Sequence, residues 1–196
     1  PLRAQLQAAK QDLLDFLREA QSASRQPQIE PAPRNGAIPL SSGQQRLWVL
    51  EQIEGERSPY NDVAAMQLTG SLRVLLLERA LVEIVRRHEV LRTSFVLDEN
   101  GHPMQRINQP QLDWSVIDLR SVAGTDQLAQ MASVATAESQ RRFDLARGPL
   151  FRVRLLQLTE DSNVLLVILH HLVGDGWSIG VILRELSALY TAALQT

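Results

Sequence analysis

Two apolar runs, Phe151 to Leu158 and Val164 to Leu169, stand either side of a polar break containing Asp161-Ser162-Asn163. Each run is far too short to cross a bilayer and has the length of a strand. The break between them predicts a hairpin, so the chain folds around a sheet. Helices must then pack on that sheet, and the sequence supplies them. From about Leu75 to Leu91, Leu77, Leu81, Ile84, Val85 and His88 share one helical face. Further helices are predicted from about Thr125 to Arg142 and after Ser178, which can cap a segment where Ile182, Leu186, Leu189 and Ala193 recur at helical spacing. Val63 to Gly70 reads as a strand ended by glycine. Thr93 to Leu97 and Met104 to Ile107 read as a second hairpin about Asn100-Gly101, and Trp114 to Leu119 as an edge strand. Helices interleaved with strands in this order predict an α/β domain, a mixed sheet with packed helices.

Residues 2–20 form a separate amphipathic pattern, with Leu6, Ala9, Leu13 and Leu17 on one side. Pro27, Pro31, Pro33 and Pro39 then punctuate a Ser- and Gln-rich stretch that suits an extended tether. The predicted organisation is a helix at 1–20, a linker at 21–37 and a domain at 38–196. Ser41 and Ser42 each precede a glutamine by three residues, the pattern of a capping box leading into Arg46-Leu47-Trp48. Thr196 follows directly on the last helix with no closing strand, as expected of a piece of a larger unit.

Charge and composition remove several functional classes. Twenty Lys and Arg against 22 Asp and Glu, scattered along the chain, give no basic footprint for nucleic acid or an anionic membrane. Without cysteine there is neither a disulfide framework nor a thiol nucleophile. None of the four histidines has a histidine partner at i+4, so no zinc cluster is predicted. No signal peptide or spanning segment is visible, and the expected location is the cytoplasm.

The remaining chemistry collects where the second apolar strand runs into His170-His171 and a loop through Asp175-Gly176-Trp177-Ser178. Consecutive strand residues point to opposite faces, so one imidazole is expected inside and the other toward a cleft. An imidazole in a cleft accepts a proton near neutral pH or orients a nucleophile, and both suit acyl transfer. Asp175 is expected to balance an arginine, with Gly174 and Gly176 allowing a tight loop around it.

His170-His171-Leu172-Val173-Gly174-Asp175-Gly176 resembles the His-His-x-x-x-Asp-Gly signature of condensation domains in nonribosomal peptide synthetases, and Trp177-Ser178 continues the match. Three more runs resemble that family in the same order: Ser42-Gly43-Gln44-Gln45-Arg46-Leu47-Trp48, then Arg87-His88-Glu89-Val90-Leu91-Arg92-Thr93-Ser94-Phe95, then Phe143-Asp144-Leu145-Ala146-Arg147-Gly148-Pro149-Leu150. The likeness covers about residues 38–190. Leu169 stands where many relatives have methionine, a core exchange of little consequence.

The resemblance implies a two-lobed fold similar to chloramphenicol acetyltransferase, with this chain as the N-terminal lobe and the histidine motif facing a tunnel. It implies that donor and acceptor arrive as thioesters on phosphopantetheine arms of peptidyl carrier proteins, and that the domain itself binds no cofactor. The acceptor amine attacks the donor thioester. Other implied partners are the C-terminal lobe of the same domain and an adjacent adenylation domain. The helix at 1–20 resembles the closing helix of docking domains, which would link it to an upstream subunit. A single lobe is expected to fold but to be inactive alone.

In site terms the resemblance implies that His171 is catalytic, as base or as positioning group for the amine, with His170, Asp175 and Gly176 in support. Arg92 is the first choice for the partner of Asp175, because it shares the inward face of His88 and Ile84 if the helix extends that far. Arg46 and Arg87 are the alternatives, and Trp177 and Ser178 are further site candidates. His88 is assigned to the core. The opening run and the Arg87 to Phe95 run look more like members taking an L-configured or simple acyl donor. Two other readings are a coenzyme A-dependent acyltransferase of the same superfamily and a non-catalytic module that recruits carriers. The presence of both His171 and Asp175 argues against the second.

Overall fold

The central hairpin forms where the two apolar runs require it, and side chains from helices and neighbouring strands pack on both its faces. The computed structural model describes residues 7, 9–12, 14, 15, 38–53 and 60–195. The chain divides into two compact units, Pro1–Gly36 and Ala37–Thr196. In the first, residues 10–12 and 14–15 are helical. The rest of the predicted N-terminal helix, with its docking assignment, and the linker lie outside the described residues.

The second unit runs β1 (Ile38–Pro39), α1 (Ser42–Ile53), β2 (Asn61–Thr69), α2 (Val74–Arg87), a 3-10 turn (Glu89–Arg92), β3 (Thr93–Leu97), β4 (Pro103–Ile107) and β5 (Asp113–Asp118). It continues through α3 (Gly124–Gln140), β6 (Phe151–Thr159), β7 (Ser162–His170) and α4 (Gly176–Leu194). A four-stranded mixed sheet has the order β2-β7-β6-β5, antiparallel except for the parallel edge strand β5. A separate three-stranded sheet has the order β1-β4-β3, so the single sheet predicted from the sequence is accompanied by a second, smaller one. No described helix is long and apolar enough to cross a membrane.

Both faces of the β6–β7 hairpin are covered. Phe151, Val153, Leu155, Leu165, Val167 and Leu169 meet α2 and α4 through Leu77, Leu81, Ile84, Ile182 and Leu186. Full burial of such side chains stabilises by about 1.5–3 kcal/mol each. The opposite residues, Leu156, Val164, Leu166 and Ile168, meet Phe95, Phe143, Leu145 and Leu150, with Leu47, Trp48 and Met131 packed alongside.

On this second face Arg152 and Arg154 of β6 are also buried. Glu138 of α3 accepts from Arg152 Nη1 at 3.0 Å and from Arg154 Nε at 2.7 Å. Asp113 of β5 takes the other edge of Arg154 at 2.8 Å. Burial pushes the Glu138 carboxyl up, but the bonds from Arg154 and then Arg152 outweigh it and hold it below its usual range.

Helix α2 stops earlier than predicted. Its periodicity continues past Arg87, yet His88 turns extended (φ −97°, ψ 98°) and its ring reaches Glu185 of α4 at 3.0 Å. The 3-10 turn then carries Leu91 into the core. At the start of α1, Ser41 and Gln44 form the predicted box: Gln44 N–H donates to Ser41 Oγ at 3.2 Å and Ser41 N–H to Gln44 Oε1 at 3.0 Å.

Candidate active site

The two histidines separate as strand alternation requires. His170 faces the second core and is fully buried, whereas the His171 side chain is 43% exposed. Backbone bonds fix both: His170 N–H donates to Leu150 O at 3.0 Å and His171 N–H to Tyr60 O at 2.8 Å. On the exposed side, His171 Nδ1 lies 2.8 Å from Asp62 Oδ2. An ionised carboxylate only accepts, so Nδ1 carries a hydrogen, and in the neutral form of the ring Nε2 keeps its lone pair. The sequence reading missed Asp62. Its only signal is its place in the strand that pairs with β7.

His170 stays neutral at pH 7. Its Nδ1 accepts from Leu172 N–H at 3.1 Å, so its own hydrogen sits on Nε2, 3.7 Å from Glu51 Oε2. The Phe143 ring meets it edge-on at 6.0 Å between centroids. Burial pushes the His170 imidazole down to about 4, and the neighbouring His171 adds to the push. Because the folded value lies below the unfolded one of about 6.5, this group's contribution to stability is complete above that pH and is lost as pH falls toward about 4. Acidification across that window should cost roughly 3 kcal/mol through His170. Urea unfolding of wild type and His170→Asn at about pH 7.5 and 4.5 checks this, and equal acid sensitivity would refute it.

Asp175 departs from its predicted role. It is the N-cap of α4, its Oδ1 accepting from Ser178 N–H at 2.8 Å and from Ser178 Oγ–H at 2.7 Å, and no arginine pairs with it among the described residues. Those bonds hold its carboxyl below the usual range. Ser178 is therefore the partner of the cap and not the cap itself. Gly174 is the residue that the tight loop needs, since an added Cβ would lie 3.1 Å from Ser178 Cβ and 3.3 Å from Leu169 Cδ1; Gly176 has open space. Trp177 is 75% exposed beside this loop. A cleft of about 250 Å³ between the 3-10 turn and the start of α4 is lined by His88, Leu91, Val173, Trp177, Ser178 and Ile182.

The arginine candidates are not brought to Asp175. Arg92 donates from Nη1 to Asn108 O at 2.8 Å and bolts the 3-10 turn to the end of β4, while its Nε is buried without a partner. Its predicted position assumed α-helical pitch through residue 92, and the chain leaves that pitch at His88. Arg87 binds Glu83 at 2.7 Å on the exposed face of α2, and Arg46 is exposed on α1.

The other motif runs converge on the histidine strand. Gln44 Nε2 donates to Leu172 O at 3.2 Å, Phe95 N–H to Leu145 O at 2.7 Å, and Phe143 abuts His170. The fold is of the chloramphenicol acetyltransferase-like kind, and its central strand ends beside one buried and one exposed imidazole, the latter bonded to a carboxylate. The Condensation domain family model matches residues 34–196, and the chain belongs to that family, the condensation domains of nonribosomal peptide synthetases.

It is 43% identical over 174 residues to malpinin synthetase of Mortierella alpina, covering 88% of this chain and 2% of that protein. Surfactin synthase subunit 1 of Bacillus subtilis is 45% identical over 162 residues, covering 83% of this chain and 4% of that protein. The starter condensation domain of rhizomide synthetase has a similar structure, with a TM-score of 0.76 and 25% identity over 82% of this chain and 38% of that one. A doubly substituted form of it, solved in complex with C8-CoA and Leu-SNAC, matches with a TM-score of 0.75 and 25% identity over 81% of this chain and 36% of that one. The chain thus spans a small fraction of the curated relatives and under half of these solved domains.

Proposed function

We propose that the domain to which this chain contributes forms peptide bonds between two carrier-bound thioesters, and that His171 is its catalytic residue. The observation that carries this reading is the Nδ1–Asp62 bond, which leaves Nε2 of an exposed imidazole as an acceptor at the end of the family's histidine motif. The acceptor's α-amino nitrogen forms a bond to the donor carbonyl carbon as the carbon–sulfur bond breaks. The amine proton passes to His171 Nε2 and from there to the departing pantetheine sulfur, which leaves as a thiol. His170 holds the strand end through its buried ring. Asp175, Gly176 and Ser178 set the start of α4 next to the reacting groups, with Trp177 at the rim. Arg92 supports the site from a distance through the β4 end.

The partners on this reading are donor and acceptor peptidyl carrier proteins with their phosphopantetheine arms, the C-terminal lobe and an adenylation domain. The helix at 1–20 would serve an upstream subunit. A second reading, coenzyme A as the donor's thiol, is favoured by the related domain solved with C8-CoA. The two separate when the intact domain, with acceptor on its carrier, is offered the same acyl group on a carrier or on coenzyme A. The carrier-bound donor should give the higher kcat/KM, and equal or better use of acyl-coenzyme A would overturn the first reading.

A further inference from the structure

We infer that Asp62, which lies in none of the motif runs, is a positioning residue whose carboxylate fixes the tautomer and rotation of His171 so that the Nε2 lone pair faces the acceptor amine. The inference rests on the reading of His171 given above. It starts from strand register. Asn61 pairs with His170 across β2 and β7, which sets Tyr60 opposite His171 and puts Asp62 two residues on, on the same sheet face. The bond from His171 N–H to Tyr60 O ties the backbone there, so the ring swings from a fixed point.

Against this backbone the Asp62 Oδ2 to His171 Nδ1 distance is 2.8 Å, the length of a charge-assisted bond. No lysine or arginine pairs with Asp62 among the described residues, so its carboxylate is not committed to a structural ion pair. The carboxylate of the loop after His171, on Asp175, is already engaged by Ser178. Asp62 and His171 are 36% and 43% exposed, so the pair is open to a substrate and is not sealed in the core. When His171 takes the amine proton, the imidazolium forms next to a fixed negative charge. That placement stabilises the state in which the proton has moved and holds the lone pair on the reacting side before it moves.

The test uses the intact two-lobed domain. Nitrogen-15 NMR of His171 at mildly alkaline pH should show Nδ1–H in the wild type and both tautomers in Asp62→Ala. The same substitution should lower kcat about 10- to 100-fold with little change in KM for the acceptor carrier. Asp62→Glu should recover part of that loss. In a His171→Ala background, Asp62→Ala should cost nothing further, because its effect runs through the ring. A wild-type Nε2–H tautomer, or an equal loss from Asp62→Ala in both backgrounds, would overturn the inference. Turnover near wild type in His171→Ala alone would instead remove the reading of His171, while the tautomer spectrum would still decide whether Asp62 holds the ring.

Discussion

Replacing His171 with alanine in the intact domain should lower condensation about 10²- to 10⁴-fold, the range for losing a positioned general base. The fold should survive. The ring is 43% exposed and its side-chain bond is to Asp62, while the backbone bond to Tyr60 does not need the imidazole. The measurement is single-turnover peptide formation from two preloaded carriers, with the thermal melt recorded in parallel. Near wild-type turnover would remove His171 from the chemistry. A collapsed melt would show that the residue holds the strand end, a role that falls to His170 on the present geometry.

The largest stability effect is expected at Glu138. Glu138→Ala removes a carboxylate shared by two guanidiniums, those of Arg152 and Arg154, whose side chains are 2% and 5% exposed. Breaking a buried pair from one side costs about 3–5 kcal/mol, against a total stability of about 5–15 kcal/mol for a domain. Asp113 still holds one edge of Arg154, so Arg152, which lies 3.5 Å over the Phe143 ring, is the more exposed to the loss. Glu83→Ala supplies the contrast. It removes bonds to Arg86 and Arg87 on the surface of α2, where water replaces them, and should be nearly silent. Urea unfolding of the two variants decides the matter, and a loss below about 1 kcal/mol at Glu138 would show that the cluster is wet.

The sheet and its helices were legible in the sequence because they are written as periodicity. The hairpins β3–β4 and β6–β7, the edge strand β5 and the buried face of α2 fall where apolar spacing puts them. The end of α2 was not legible, because the apolar pattern through Leu91 is equally served by a 3-10 turn, and what stops the helix is a tertiary contact from His88 to Glu185. That one shift moved Arg92 away from its expected place. Asp175 was misjudged for a related reason: aspartate before a helix is a cap by local chemistry alone, and Ser178 three residues on completes it without any arginine. Asp62 carried no local signal, since its meeting with His171 exists only through the pairing of β2 with β7. Glu138 was equally silent, a carboxylate on a helix with no buried apolar residue of its own.

Neighbouring histidines on opposite faces also make the hairpin's turn part of the chemistry. β6 and β7 pair from Phe151 with Leu169 to Thr159 with Ser162, with an irregularity between Gln157 and Thr159. Strand side chains alternate with a period of two, so a one-residue slip of β7 would exchange the faces of His170 and His171, burying the imidazole that is now exposed and exposing the one that is now buried. A chimera that joins this lobe to others must therefore match the length of a surface turn at the far end of the strand as strictly as it matches the histidines themselves.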